Sequence, residues 1–165
     1  MRGALIWLLA ALIAQGTVMH FAVVRGAQPS LVLVTVVWFA MRTSSAVRAT
    51  LFGLVAGVGE DVLAFNAGGA WTIATTVTAL LASLPTRRFF EDSIPLFALV
   101  AAGATLVRAF IYWSVESLEG YPPGLATIHF HKALEEAILN AALASVIMAV
   151  ARRFERSGAL ARIHG

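Results

Sequence analysis

The sequence predicts an all-α polytopic membrane protein of about six transmembrane helices, a single integral membrane domain over residues 1–165. Three observations predict it. Hydrophobic residues make up 59% of the chain and charged residues 13%, about half the roughly 25% that a soluble domain carries. The apolar residues fall into long runs separated by short polar turns, which leaves no room for a soluble domain. Arginines gather at the ends of those runs, where they account for most of the net charge of +3. That basic balance suits anionic headgroups. No aromatic–basic interleaving points to a nucleic acid. Cysteine is absent, which excludes disulfides, thiolate metal sites and cysteine nucleophiles.

The first span is expected over residues 4–24, after Arg2. Ala14-Gln15-Gly16 lacks the small-residue spacing of a cleavage site, so an uncleaved anchor is expected. Gln15, Thr17 and His20 lie where they can face other helices. Arg25 to Pro29 reads as a turn, and Pro29 suits a helix start because its missing N–H is no loss there. The second span, 29–41, is too short. Its apolar run from Leu31 to Met41 reaches roughly 17 Å, against a hydrocarbon core of about 30 Å. It therefore needs help from its flanks, protection by neighbours, or a thinned bilayer.

The third span, 47–65, carries GLVAGVGED. Helical spacing puts Thr50, Gly53, Gly57 and Asp61 on one stripe, and two glycines so spaced form a groove that another helix can enter. The stripe ends on Glu60 and Asp61, which must sit in headgroup water or find partners. Gly53, Gly57, Glu60 and Asp61, with Asn140 near the other end of the chain, are the candidate interaction and packing positions. The fourth span, 70–85, follows a Gly68-Gly69 turn and is rich in threonine (Thr72, Thr75, Thr76, Thr78), whose hydroxyls can bond to their own helix or a neighbour.

The fifth span, 94–115, holds Arg108 inside it and an aromatic collar, Tyr112 and Trp113, at its end. The sixth, 127–151, opens HFHKALEEAILN. His131 shares a face with Glu135, Lys132 with Glu136, and Glu136 with Asn140. H-E-x-x-H is absent and no second histidine helix exists, so a structural network is expected over Arg108, His131, Lys132, Glu135 and Glu136, with no metal or other cofactor and no catalytic residue. Counting inward from Glu116 and from His129 puts Arg108 and Glu135–Glu136 both roughly 10 Å below the interface. Matching depth predicts an ion pair between Arg108 and Glu135 or Glu136; the alternative is an Arg108 that snorkels to the headgroups.

Arg2, Arg42, Arg48, Arg87, Arg88 and the tail arginines fall on one side of such a bundle, and Glu60, Asp61, Glu116 and Glu119 on the other, where Arg25 is the one loop arginine. By the positive-inside rule both termini are cytoplasmic.

Four stretches together resemble the family of the rod shape-determining protein MreD: the Pro29-led PSLVLVTVVWFAMR, GLVAGVGED with its Gly-Gly turn, the Arg87-Arg88 exit, and the closing LNAALASVIMAVARRF around Asn140. The likeness covers nearly the whole length. The polar start of the last helix stands outside it. The resemblance implies a six-helix, non-enzymatic protein of the bacterial inner membrane that belongs to the cell-elongation complex for peptidoglycan synthesis. It further implies binding to MreC, in the company of RodA, a class B penicillin-binding transpeptidase and MreB. The family's fold is similar to the S components of energy-coupling-factor transporters, whose second helix is likewise short. That similarity defines the alternative expectation, a vitamin- or metal-binding subunit with an outer cavity lined by residues such as Glu60, Asp61, Asn66, Arg108, His129, His131 and Glu135.

Overall fold

The computed structural model describes residues 2–65, 68–84, 93–120 and 122–163. Among them the regular structure is helical: α1 (Arg2–Thr17), α2 (Leu31–Arg42), α3 (Ala46–Ala64), α4 (Ala70–Ala82), α5 (Ile94–Leu118) and α6 (Ala126–Ile163), with single 3-10 turns at Met19–Phe21 and Pro123–Leu125. Two helical stretches are long and apolar enough to cross a membrane, Ile94–Leu118 and Ala126–Arg153; α1, α2 and α4 are shorter apolar helices. The expected turns at Asn66 and at Arg87–Arg88 lie outside the described residues.

The short second segment is the centre of the bundle. α2 touches every other α-helix, and Val32, Leu33, Val34, Val36 and Val37 have no exposed surface. One side of α2 (Leu33, Val34, Val37, Ala40) packs with Ala49, Phe97, Ala101, Ala104, Ala144 and Met148. The other side (Val32, Val36) packs with Leu8, Ala11, Phe52, Ala56 and Ala79. A helix that is apolar all round is a buried helix, and β-branched valine is accommodated because packing outweighs propensity. Of the ways a short segment can be accommodated, protection by neighbours is the one seen.

The first span is shorter than expected. α1 stops at Thr17, where the expected span runs to residue 24. Residues 18–30 instead form a 3-10 turn and then a tight reversal, in which Val24 and Ala27 exchange two backbone hydrogen bonds of 2.9 Å. The reversal places Arg25 and Gly26 at φ 53° and 87°, a conformation glycine adopts freely and arginine rarely. Apolar composition alone cannot distinguish this loop from helix, which is why Val18 to Val24 read as span. At the other end α6 continues beyond residue 151 to Ile163.

The bundle is apolar on its outside as well as in its core. Ile6, Trp7, Leu9 and Ile13 on α1 are exposed, as are Val47, Leu51, Val55, Val58 and Val62 on α3. Leu99, Phe110, Leu134, Ile138 and Val146 continue the apolar exterior on α5 and α6. The buried positions include Asp61, Thr75, Thr78, Thr105, Arg108 and Asn140.

Candidate functional site

The glycine stripe of α3 faces α4. A methyl at Gly53 would sit 2.5 Å from the Ala79 methyl and 2.9 Å from the Thr75 carbonyl oxygen; one at Gly57 would sit 2.5 Å from Thr72 Cα. The groove is filled from within the chain, so α3 and α4 approach almost backbone to backbone. Asp61, on the same stripe, completes this hairpin. α4 starts at Gly69 (φ 70°), which has no side chain to cap the helix. The Asp61 carboxylate accepts from the Trp71 amide at 3.2 Å, the Thr72 amide at 2.9 Å and the Thr72 hydroxyl. A carboxylate at a helix N-terminus satisfies orphan N–H groups and complements the helix dipole. Asp61 is therefore buried, at 8% exposure, and partnered.

Glu60, the neighbouring acid, is the counter-ion of Arg108. Arg108 Nη1 donates to Glu60 Oε1 at 2.7 Å, with only 5% and 10% of the two side chains exposed. This corrects the expected pairing of Arg108 with Glu135 or Glu136. Counting along helices cannot tell which face of which neighbour meets the arginine. The stripe carried the missing signal, since Glu60 follows Gly57 by three positions and so points the way the glycines do. Thr75 donates to the second Glu60 oxygen at 2.7 Å, and the Arg108 guanidinium lies over the Trp71 ring, 4.8 Å from its centre. Charge, hydrogen bond and aromatic face thus join α3, α4 and α5 at one point.

Asn140 holds a second polar centre deeper in the bundle. Its Oδ1 accepts from the Ser30 amide at 2.7 Å, and its Nδ2 donates to Thr105 Oγ1 at 2.9 Å. The Thr105 hydroxyl donates in turn to the Ala101 carbonyl at 2.8 Å. The Ser30 hydroxyl caps α2 by accepting from Leu33 N at 3.1 Å. From α1, Gln15 accepts from the Leu31 amide at 2.8 Å and donates to the Pro29 carbonyl at 3.3 Å. The first turn of α2 is therefore closed by side chains from α1 and α6 as well as its own cap, as an end buried away from water requires. Ser30 and Thr105 were not singled out in the sequence; the serine immediately before the apolar run was the available signal.

The polar start of α6 is only partly drawn into this network. His131 is 78% exposed and stands 3.9 Å from Glu135 Oε1, a loose surface contact. His129 is held in place: its Nε2 donates to the Ala109 carbonyl at 3.0 Å, and its ring lies against Tyr112 and Trp113. Lys132 and Glu136 turn towards a cavity of about 180 Å³ between the start of α4, the second half of α5 and the first turns of α6. Trp71, Thr105, Arg108, Tyr112 and His129 complete its walls. Trp71 and Tyr112 are themselves in ring contact, with centroids 4.3 Å apart. Among the described residues, no three His, Asp or Glu side chains converge as a metal site would need.

Asp61, Glu60 and Arg108 thus form one polar centre and Asn140 a second, with Lys132 and Glu136 beside the first and His131 and Glu135 outside. Comparison of the chain with protein-family models, with curated proteins and with solved structures gives no match.

Proposed function

We propose that the protein is a multi-pass, non-enzymatic scaffold of the bacterial cell-elongation complex, similar to MreD, that sits in the inner membrane with both termini cytoplasmic and binds an MreC-like partner. The observation that carries this reading is the use made of the buried polar side chains. Asp61 closes α4, Asn140, Gln15 and Ser30 close α2, and Glu60 neutralises Arg108. These groups hold helix ends and charges in place, which is the work of architecture. The apolar exterior of α1, α3, α5 and α6 supports a lipid surrounding, where exposed leucine and valine cost nothing and buried charges need partners. The buried, half-length α2 supports the resemblance that its Pro29-led sequence carries.

Co-expression with an MreC-like protein and affinity purification in mild detergent tests the partner. Recovery of a stoichiometric complex is expected, and a chain that purifies alone refutes the scaffold role. A reporter active only outside the cytoplasm, fused after Gly165, should stay silent; strong activity would overturn the six-span arrangement.

The second reading, a transporter-like ligand subunit, rests on the cavity. At about 180 Å³ it falls below the roughly 300–1,000 Å³ of typical small-molecule sites, which places a vitamin-sized ligand second.

A further inference from the structure

Among the described residues, two opposite charges on the cavity wall make no ion pair or hydrogen bond. Lys132 and Glu136 stand one helical turn apart on α6, a spacing at which lysine and glutamate commonly pair. They form no ion pair with each other, and neither makes a hydrogen bond among the described residues. Arg108, by contrast, is neutralised by Glu60 through Nη1. A guanidinium has five N–H donors, so donors remain on the cavity side. The charges therefore sum to zero in two steps: Arg108 with Glu60 outside the space, and Lys132 with Glu136 one turn away on the same wall.

We propose that this cavity binds a small zwitterionic group, a primary ammonium joined by a short chain to an acidic phosphate oxyanion, as in phosphoethanolamine. Glu136 accepts from the ammonium, and Lys132 with the remaining Arg108 N–H groups receives the phosphate. A net neutral site that presents both signs at separate points selects against a simple anion and against a simple cation. The volume agrees: 180 Å³ is the share of about six water molecules at ~30 Å³ each, the scale of this headgroup. The exposed Lys132 marks the mouth, and Gly26 of the 18–30 loop lies beside it, with a methyl there falling 3.8 Å from Lys132 Cε. The headgroup can arrive attached to a membrane lipid or free. The proposal goes beyond the scaffold reading and does not require the MreC-like partner.

The test uses the full chain purified in detergent free of phospholipid, with melting temperature read against three probes: glycerophosphoethanolamine, phosphatidylethanolamine in mixed micelles, and phosphatidylglycerol in the same micelles. A saturable rise with either ethanolamine probe, and none with phosphatidylglycerol, is the expected result. A rise with both ethanolamine probes identifies the headgroup alone as sufficient; a rise with the lipid only identifies a membrane lipid as the source. Glu136→Gln and Lys132→Ala should melt like the parent without probe and bind at least tenfold more weakly, whereas Glu135→Gln, outside the cavity, should bind like the parent. Equal stabilisation by phosphatidylglycerol, no stabilisation by either ethanolamine probe, or unchanged binding by both cavity variants overturns the proposal. Recovery of the MreC-like partner is a separate measurement, so the two readings fail independently.

Discussion

Asn140 accepts a 2.7 Å hydrogen bond from the Ser30 amide across 110 positions of chain, and this contact fixes where α2 begins. Replacing Asn140 by leucine leaves the Ser30 N–H without its acceptor in an apolar interior, while the Thr105 hydroxyl keeps the Ala101 carbonyl. An unsatisfied buried group costs about 1–3 kcal/mol. Asn140→Leu should lower the melting temperature in detergent by several degrees, and Ser30→Ala, which removes a cap worth roughly 1 kcal/mol, should do so less. An Asn140→Leu protein as stable as the parent would mean that the α2 start finds another acceptor.

The Arg108–Glu60 pair predicts a specific rescue. Removing one member of a buried pair costs about 3–5 kcal/mol because the other charge is stranded. Arg108→Gln and Glu60→Gln should each accumulate poorly, and the double variant should recover part of the loss. Neutralising Glu135 and Glu136 in the Arg108→Gln background should recover nothing. Expression level and thermal melting of the set decide between the partners.

Glycine positions should divide into two groups. Gly53→Ala and Gly57→Ala push a methyl to within 2.5 Å of α4 atoms and should destabilise the protein despite alanine's advantage of about 1 kcal/mol in a helix. Gly103→Ala, with nothing within 4 Å, should be neutral or stabilising. Melting curves of the three variants measured side by side test this ordering.

Asp61 predicts a local effect at the α4 start. Asp61→Ala removes the acceptor of two amides and one hydroxyl, at an expected cost of about 0.5–2 kcal/mol. Hydrogen exchange should rise first at Trp71 and Thr72, ahead of the rest of α4. Uniform exchange along the helix would show that the cap is not what anchors its first turn.

Much of the helical order was legible from local signals. Pro29 and the run after it, and Gly69 before α4, each mark a boundary by chemistry that acts within a few residues. The stripe of Gly53 and Gly57 was legible as a close helix contact, though α4 as its occupant was not. Three things were hidden because they depend on tertiary placement. The loop after Thr17 is as apolar as a helix, with Phe21 92% exposed, so hydropathy ran the first span on to residue 24. Arg108 announced its need of a carboxylate, but depth alone admitted several. The Ser30–Asn140 bond links two segments with no sequence pattern in common.

The shortness of α2 also sets a timetable for biogenesis. In the bilayer proposed above, the nascent chain delivers α2 long before α6 leaves the ribosome, yet one of the three side-chain acceptors that close its first turn is Asn140. Until then the Ser30 amide lies in hydrocarbon or the segment waits outside it, because irregular backbone is tolerated at depth only inside protein. α2 is too short to be held in place as an independent span. The polar cover of the second helix is therefore complete only when the sixth arrives.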